Sequence, residues 1–379
     1  MREWLKKEKT LEHIAPFAAI LFGLIVGALL FLFTKNNPAE GFKYIFQGAT
    51  GFKNGEFTNF RKIGTLLLEA TPLILAGLAV AFSFRTGIFN IGVSGQMLIG
   101  GLAAMVVGVQ LEGLTRIVHI PLVIIAAAVA GALWAFVPAI LKAKYKVNEV
   151  VTTIMMNYVA LEVVSFVVKN FILSPKFETE SAKVLPSATL RVSWMKTLLD
   201  GANVNLGLFV ALAAALVYAF VLNKTTFGYE LKAVGYNKDA SEYAGIKVNK
   251  RILHGLMISG AMAGLAGVTF YLGNTDHIPI NKLPTYGFDG IVIALLGLNS
   301  AIGIVLSSLL LAFFKVGGGT VKANLDNIPN QLVPMIISVI IYFSATSLLF
   351  KNMIKKVATF DLKRHIEKSS KSGKKGGAK

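Results

Sequence analysis

The chain has 379 residues, 54% of them apolar and only 15% charged, a balance that excludes an ordinary soluble domain and points to an all-α, polytopic membrane protein. Its formal charge of +18 does not signal nucleic acid, because lysine and arginine gather in loops and tails, where they set orientation and meet anionic lipid. Cysteine is absent, so disulfides and thiolate metal sites are excluded.

Residues 1–13 form a basic N-terminus, read as cytoplasmic, and a transmembrane body covers 14–350. The apolar run Ile14 to Phe33 is too long for a signal-peptide core and reads as a retained first span. Residues 34–62 read as a solvated connector. Ile63 to Gly108 is twice the spanning length and broken only by Arg85 and Thr86, which predicts two spans joined by a very tight turn. A fourth span is expected from Val118 to Leu141 and a fifth from Asn148 to Leu173. After a polar excursion from Ser174 to Asn205 comes a sixth, from Leu206 to Leu222.

The seventh run, Ile252 to Leu272, places Gly260, Ala263, Gly264 and Gly267 at the spacing of close helix-packing seams. An eighth run, Gly287 to Leu298, is short enough to be a broken or re-entrant element; the ninth is Ile302 to Val316 and the tenth Leu332 to Phe350. Residues 351–379 form a basic tail, expected to be disordered and cytoplasmic. About ten spans put both termini on one side of the membrane. Lysine and arginine are more numerous on the side that holds the N-terminus, which makes that side cytoplasmic.

Between the sixth and seventh runs lies a hydrophilic stretch, 223–251, whose core at 224–250 reads as a folded cytoplasmic segment. Asn237 is placed to cap a short helix, Asp239 falls in its first turn and Gly245 follows as a left-handed stop. Ala240 and Ala244 share one low face of that helix, a surface for another protein to grip.

The chain holds no glycine-rich phosphate loop of the Walker type, no nucleophile with its base and no cluster of metal ligands; His13, His119, His254, His277 and His365 are scattered. Transport fits better than catalysis, and no cofactor is implied. Polar side chains inside apolar spans mark either a path or a helix contact, and the candidates are Glu69, Asn90, Gln96, Asn157, Glu162 and Asp289. An interhelical hydrogen bond and a pathway role are equally compatible with each amide. The acids lean towards function: Thr71 and Pro72 follow Glu69, and Asp289 opens the short eighth run. The segments 85–105 and 285–306 also echo one another faintly, each pairing glycine, an aromatic and Asn or Asp before a glycine-spaced run.

Five blocks in order, GIFNIGVSGQMLIGG at 87–101, NEVVTTIMMNYVA at 148–160, LKAVGYNKDASEYAGIKV at 231–248, SGAMAGLAG at 259–267 and GFDGIVIALLG at 287–297, resemble the permease subunits of bacterial ABC importers. Within the ribose and branched-chain amino-acid permease family they are most similar to the nucleoside branch. The resemblance implies a type II importer fold in the bacterial plasma membrane, with two permease subunits side by side, as copies or paralogues. It also implies two cytoplasmic ATPases and an extracytoplasmic substrate-binding lipoprotein. It places the ATPase-coupling block over Gly235, Asn237, Ala240, Ala244 and Gly245. Many relatives carry an acid where this chain has Ser94, so a carboxylate role there is not carried over. A proton-coupled secondary transporter using Glu69, Glu162 or Asp289, a membrane scaffold, and a sugar or branched-chain amino-acid permease remain alternatives.

Overall fold

The computed structural model describes residues 8–345 apart from 54, 55, 58, 326, 327 and 330. The basic tail, the first seven residues and the end of the tenth run lie outside the described residues. Among the described residues fourteen α-helices follow in order: α1 Glu8–Phe33, α2 Pro38–Thr50, α3 Phe60–Arg85, α4 Val93–Gln110, α5 Arg116–Tyr145, α6 Glu149–Phe171, α7 Ser193–Leu198, α8 Gly207–Lys224, α9 Thr226–Tyr236, α10 Lys238–Tyr243, α11 Val248–Val268, α12 Tyr286–Leu296, α13 Ala301–Asn324 and α14 Leu332–Ala345. A π-helical turn, Thr269–Thr275, continues α11, and one small antiparallel hairpin pairs Phe52 with Phe57.

Of these elements, α3, α4, α5, α6, α8, α13 and α11 with its π turn are each long and apolar enough to cross a membrane. α1, with 26 residues, occupies the first expected run. α12 has only 11 residues, as its short run predicted, and α14 is described over 14. The ten expected runs therefore each coincide with helix in the expected order as far as they are described, although α1 begins six residues before Ile14 and α13 continues eight residues beyond Val316.

Two expectations are corrected. The stretch 34–62 is no plain connector: it contains α2, whose Ile45 and Ala49 are fully buried, and Gly317 of α13 packs against the Ile45 carbonyl. Nor is the join between the second and third spans a very tight turn. Seven residues separate Arg85 from Val93, folded into an elbow that the polar side chains of neighbouring helices hold in place.

The chain divides into two units, and each has its own packing. In the unit formed by 1–41 and 325–379, α1 lies along α14, with the rings of Phe22 and Phe343 edge to face at 4.6 Å. The larger unit, 42–324, is built around α3, α4 and α11. Residues 70–83 of α3 are buried without interruption, the pattern of a helix surrounded on all sides. The small-residue seam of α11 seats as its spacing predicted. A Cβ built on Gly264 would lie 2.0 Å from the Ala127 carbonyl oxygen of α5, and one on Gly267 would lie 2.1 Å from that of Met97 in α4. Backbone meets backbone there, and dispersion between close main chains replaces the hydrophobic drive that lipid cannot supply.

α8 connects the two ends of this unit. At its N-terminal end, loop 174–205 is clamped to loop 274–285. Arg191 donates to the Gly273 carbonyl at 2.8 Å and pairs with Asp276 at 3.2 Å, while Glu180 meets His277 at 3.3 Å. At the C-terminal end of α8, the chain turns into α9 and α10.

Candidate functional site: a docking groove and an intramembrane ionic cluster

The hydrophilic stretch folds into two helices instead of one. Thr225 ends α8 and caps α9, accepting from Gly228 N at 3.0 Å; Asn237 then breaks the helix in an extended conformation and caps α10, accepting from Ala240 N at 3.0 Å. The stop falls at Gly245, whose φ of +82° is the left-handed geometry expected of it. The sequence-derived cap, first turn and stop therefore all occur; the extra helix α9 had no cap signal distinctive enough to be separated from the end of the span.

α9 rests on the end of α3. Gly235 faces inward: a Cβ added there would lie only 2.3 Å from the Arg85 carbonyl oxygen, so it is a joint between α9 and the elbow and not an outer contact surface. Arg251 ties α11 to the same segment through an ion pair with Glu230, its guanidinium 4.9 Å from the Phe227 ring centroid. On the other side the pair of helices is open. Tyr229, Tyr236 and Tyr243 are 69%, 84% and 99% exposed, and an open groove of about 540 Å³ runs between α9 and α10, bordered by Tyr236, Ala240 and Ala244. Ala233, Ala240 and Ala244 line it together with Tyr229 and Tyr236.

The second constellation lies in the interior of the spans. Glu69 of α3 and Asp289 of α12, both predicted as candidates, are brought together by a residue that sequence reasoning left without a role, Lys315 of α13. Its Nζ stands 2.6 Å from Asp289 Oδ2 and 3.5 Å from Glu69 Oε1. Tyr286 donates to Glu69 at 2.9–3.0 Å, and its ring centroid lies 4.7 Å from the Lys315 ammonium. Three formal charges and one phenol thus share a site whose side chains are only about a quarter exposed. Lys315 could have been found by the same rule that selected the acids, as an ionisable residue inside an apolar run. Tyr286 carried no comparable signal.

The amides form a separate network. α4 begins at Gly92 with no capping side chain of its own, and Asn157 of α6 supplies one: its Oδ1 accepts from Gly95 N at 2.8 Å while its Nδ2 donates to the Ile91 carbonyl at 3.0 Å. Asn90 donates to Gln96 and to Ser259, both at 3.0 Å, and accepts from Gly92 N at 3.0 Å. Ser259 in turn donates to the Ala79 carbonyl at 2.6 Å. Asn90, Gln96 and Asn157 are almost fully buried and hold the elbow against α3, α6 and α11. Of their two compatible uses, the interhelical hydrogen bond is the one this geometry displays. The two echoing segments touch here as well: Gly287, next to Tyr286, packs directly on Ser94. The Ser94 hydroxyl is buried with no hydrogen-bond partner among the described residues. Glu162 belongs to neither constellation and stands on the exposed face of α6.

Residues 62–345 match the family described as branched-chain amino acid transport system / permease component. The chain belongs to this family. Among curated proteins, this permease is 42% identical over 341 residues to the guanosine ABC transporter permease protein NupP of Bacillus subtilis (strain 168), covering 89% of this chain and 95% of NupP. It is 35% identical over 376 residues to the nucleoside ABC transporter permease protein NupB of Lactococcus lactis subsp. cremoris (strain MG1363), covering 98% and 99% of the two chains. It is also 35% identical over 349 residues to the glucose ABC transporter permease protein TsgB13 of Haloferax volcanii, covering 90% and 89%. No solved structure gives a significant match. This permease is a multi-pass membrane subunit of an ABC transporter, whose ATP hydrolysis belongs to a separate subunit. The proton-coupled and scaffold alternatives give way to that assignment.

Proposed function

We propose that this permease carries nucleosides inward across the bacterial plasma membrane, driven by a cytoplasmic ATPase that grips the α9–α10 groove. The observation that carries the substrate reading is the near-full-length similarity to permeases named for guanosine and for nucleosides. The groove supports the motor reading: a tyrosine-lined, open cleft on a capped helix pair, joined at Gly235 to the end of α3, passes a push directly into the helix that carries Glu69. Ala240, Ala244 and Asn237 border the groove, and Gly245 closes the α10 turn. Both termini lie on the ATPase side, and a binding lipoprotein delivers substrate at the opposite end, over the clamped loops 174–205 and 274–285.

A nucleoside is neutral and amphipathic, so the path needs hydrogen-bonding groups and an aromatic face more than a net charge. Glu69, Tyr286, Asp289 and Lys315 offer both. In the resting arrangement they satisfy one another, and movement of α3 relative to α12 and α13 opens the pairs to hydroxyl and base-edge groups in transit. Asn90, Gln96 and Asn157 contribute by keeping the elbow rigid, so that displacement at α9 arrives undamped.

The test is ATP-dependent uptake of labelled guanosine into vesicles holding the complete importer, with uridine, adenosine, glucose, ribose and leucine as competitors. Competition by nucleosides alone supports the reading. The similarity to TsgB13 favours a sugar as the second reading, and competition by glucose with none by nucleosides establishes it in place of the first.

A further inference from the structure

Beside the groove, on the α8 and α13 side of α9, lies a second cavity of about 450 Å³. Tyr229 and Lys232, three residues apart and so on one face of α9, line it together with Arg85 of α3, Tyr218 of α8, and Asn299 and Ser300 of the turn into α13. The C-terminal ends of α3 and α8 and the start of α13 meet there, which sets the cavity at the level of lipid headgroups and not among acyl chains.

Its charges do not balance. No aspartate or glutamate lines it, and Glu230, the carboxylate nearest to Lys232 in the chain, is taken by Arg251. Arg85 donates to the Leu298 and Asn299 carbonyls at 3.1–3.3 Å, and Tyr218 donates to the Asn299 carbonyl at 2.8 Å. Those bonds hold a turn in which Leu298 and Asn299 both adopt a φ of +52°, but a carbonyl dipole leaves the guanidinium charge in place. Asn299 Oδ1 is buried with no hydrogen-bond partner among the described residues, an acceptor that the chain gives no donor. Two cations on different helices, beside the first amides of α13, call for an anion with several oxygens. A phosphoryl group has three oxygens and up to two charges and can engage both walls, whereas a carboxylate offers two oxygens in one plane. A hydroxyl on the same ligand would answer Asn299.

We propose that this cavity binds a phosphoryl group between Lys232 of α9 and Arg85 of α3, carried by a soluble phosphate ester of the cytoplasm or by an anionic phospholipid of the inner leaflet. The bound group fastens α9 to α3 and to the start of α13, beside the joint at Gly235. The inference rests on the reading of the α9–α10 face as cytoplasmic and not on which solute is carried. Nanodiscs open both faces to solution, so binding is read whichever face this is, and the orientation stands or falls by vesicle labelling alone.

Lys232 is half-buried and makes no hydrogen bond or ion pair among the described residues, so Lys232→Gln removes a charge without unfolding the chain. The complete importer with wild-type, Lys232→Gln or Lys232→Arg permease is placed in phosphatidylcholine nanodiscs. Binding of labelled guanosine monophosphate is measured by equilibrium dialysis, with inorganic phosphate and guanosine as competitors. In a parallel arm the same variants are extracted from membranes rich in phosphatidylglycerol, and retained lipid is counted by native mass spectrometry. The expected result is phosphoryl binding that Lys232→Gln weakens at least tenfold and Lys232→Arg keeps. Binding of the nucleotide, displaced by inorganic phosphate and not by guanosine, identifies a soluble ester; Lys232-dependent retention of phosphatidylglycerol identifies the lipid. Displacement by guanosine as readily as by phosphate, or no Lys232-dependent binding in either arm, overturns the proposal. Weaker ATPase retention by Lys232→Gln in phosphatidylcholine without phosphate also overturns it, because Lys232 then pairs with an acidic side chain of the ATPase.

Discussion

Lys315 shows how one side chain sets the character of its surroundings. Without it, Glu69 and Asp289 would stand in one largely enclosed site with Tyr286 and no cation to offset them. Lys315→Met is expected to destabilise the folded permease by on the order of 2 kcal/mol, less than the ~3–5 kcal/mol of a fully buried pair because these groups keep partial exposure. Adding Asp289→Asn to it should recover part of that loss. Thermal unfolding in detergent micelles measures the cycle, and non-additivity of the two substitutions is the expected sign of direct coupling. The acids and Lys315 are all recognisable in the linear chain as charges inside apolar runs. Their mutual contact is not, because residues 69, 289 and 315 lie far apart in sequence and meet only where α3, α12 and α13 pack. The amides teach the complementary lesson. Asn157 has the same polarity whether it lines a path or caps a helix, and only the absence of a native cap at Gly92 shows which need it answers here.

Among the helices, the α9–α10 pair and the α11 seam carry separate consequences. Tyr236 and Tyr243 are so exposed that replacing both by alanine should leave stability within about 0.5 kcal/mol. If they anchor the ATPase, the same change should weaken its binding by more than tenfold, about 2 kcal/mol. Titrating the ATPase onto the reconstituted permease distinguishes the two effects. Gly245 behaves differently, since open space surrounds it and its cost is conformational: Gly245→Val should strain the left-handed turn by about 1–2 kcal/mol without any clash. Gly264→Val on α11 is the steric opposite. With the Ala127 carbonyl only 2.0 Å from the position of a new Cβ, α5 and α11 must separate. Yield of folded protein after detergent extraction should fall sharply, reflecting about 1–3 kcal/mol of overpacking or more, while Gly264→Ala gives an intermediate loss. The caps at Asn237 and the seam at Gly264 were both legible beforehand, because capping and small-residue spacing are local signals. α9 was not, since its first residues continue the helical pattern of α8 across a single extended residue, Thr225.

For the permease entire, the orientation proposed here has a direct test. Tyr243→Cys should react with a membrane-impermeant maleimide only in inside-out vesicles, and Lys183→Cys only in right-side-out vesicles. Reversal of the two places the groove outside and removes the motor reading. The clamp of Arg191, Asp276, His277 and Glu180 closes the end opposite the groove, so the two ends of α8 carry unlike machinery: paired charges holding loops at one, an open tyrosine cleft at the other.

Membrane class, the order of ten apolar runs, a folded hydrophilic segment in the middle and the packing seam of α11 follow from composition and spacing, because lipid demands long apolar stretches with backbone hydrogen bonds closed within each helix. Which charged residues meet, which amides brace the elbow, that Gly235 points inward and that Glu162 points out depended on the assembled helices. A span's sequence states its polarity, but the direction each polar side chain faces is set by the neighbours packed around it.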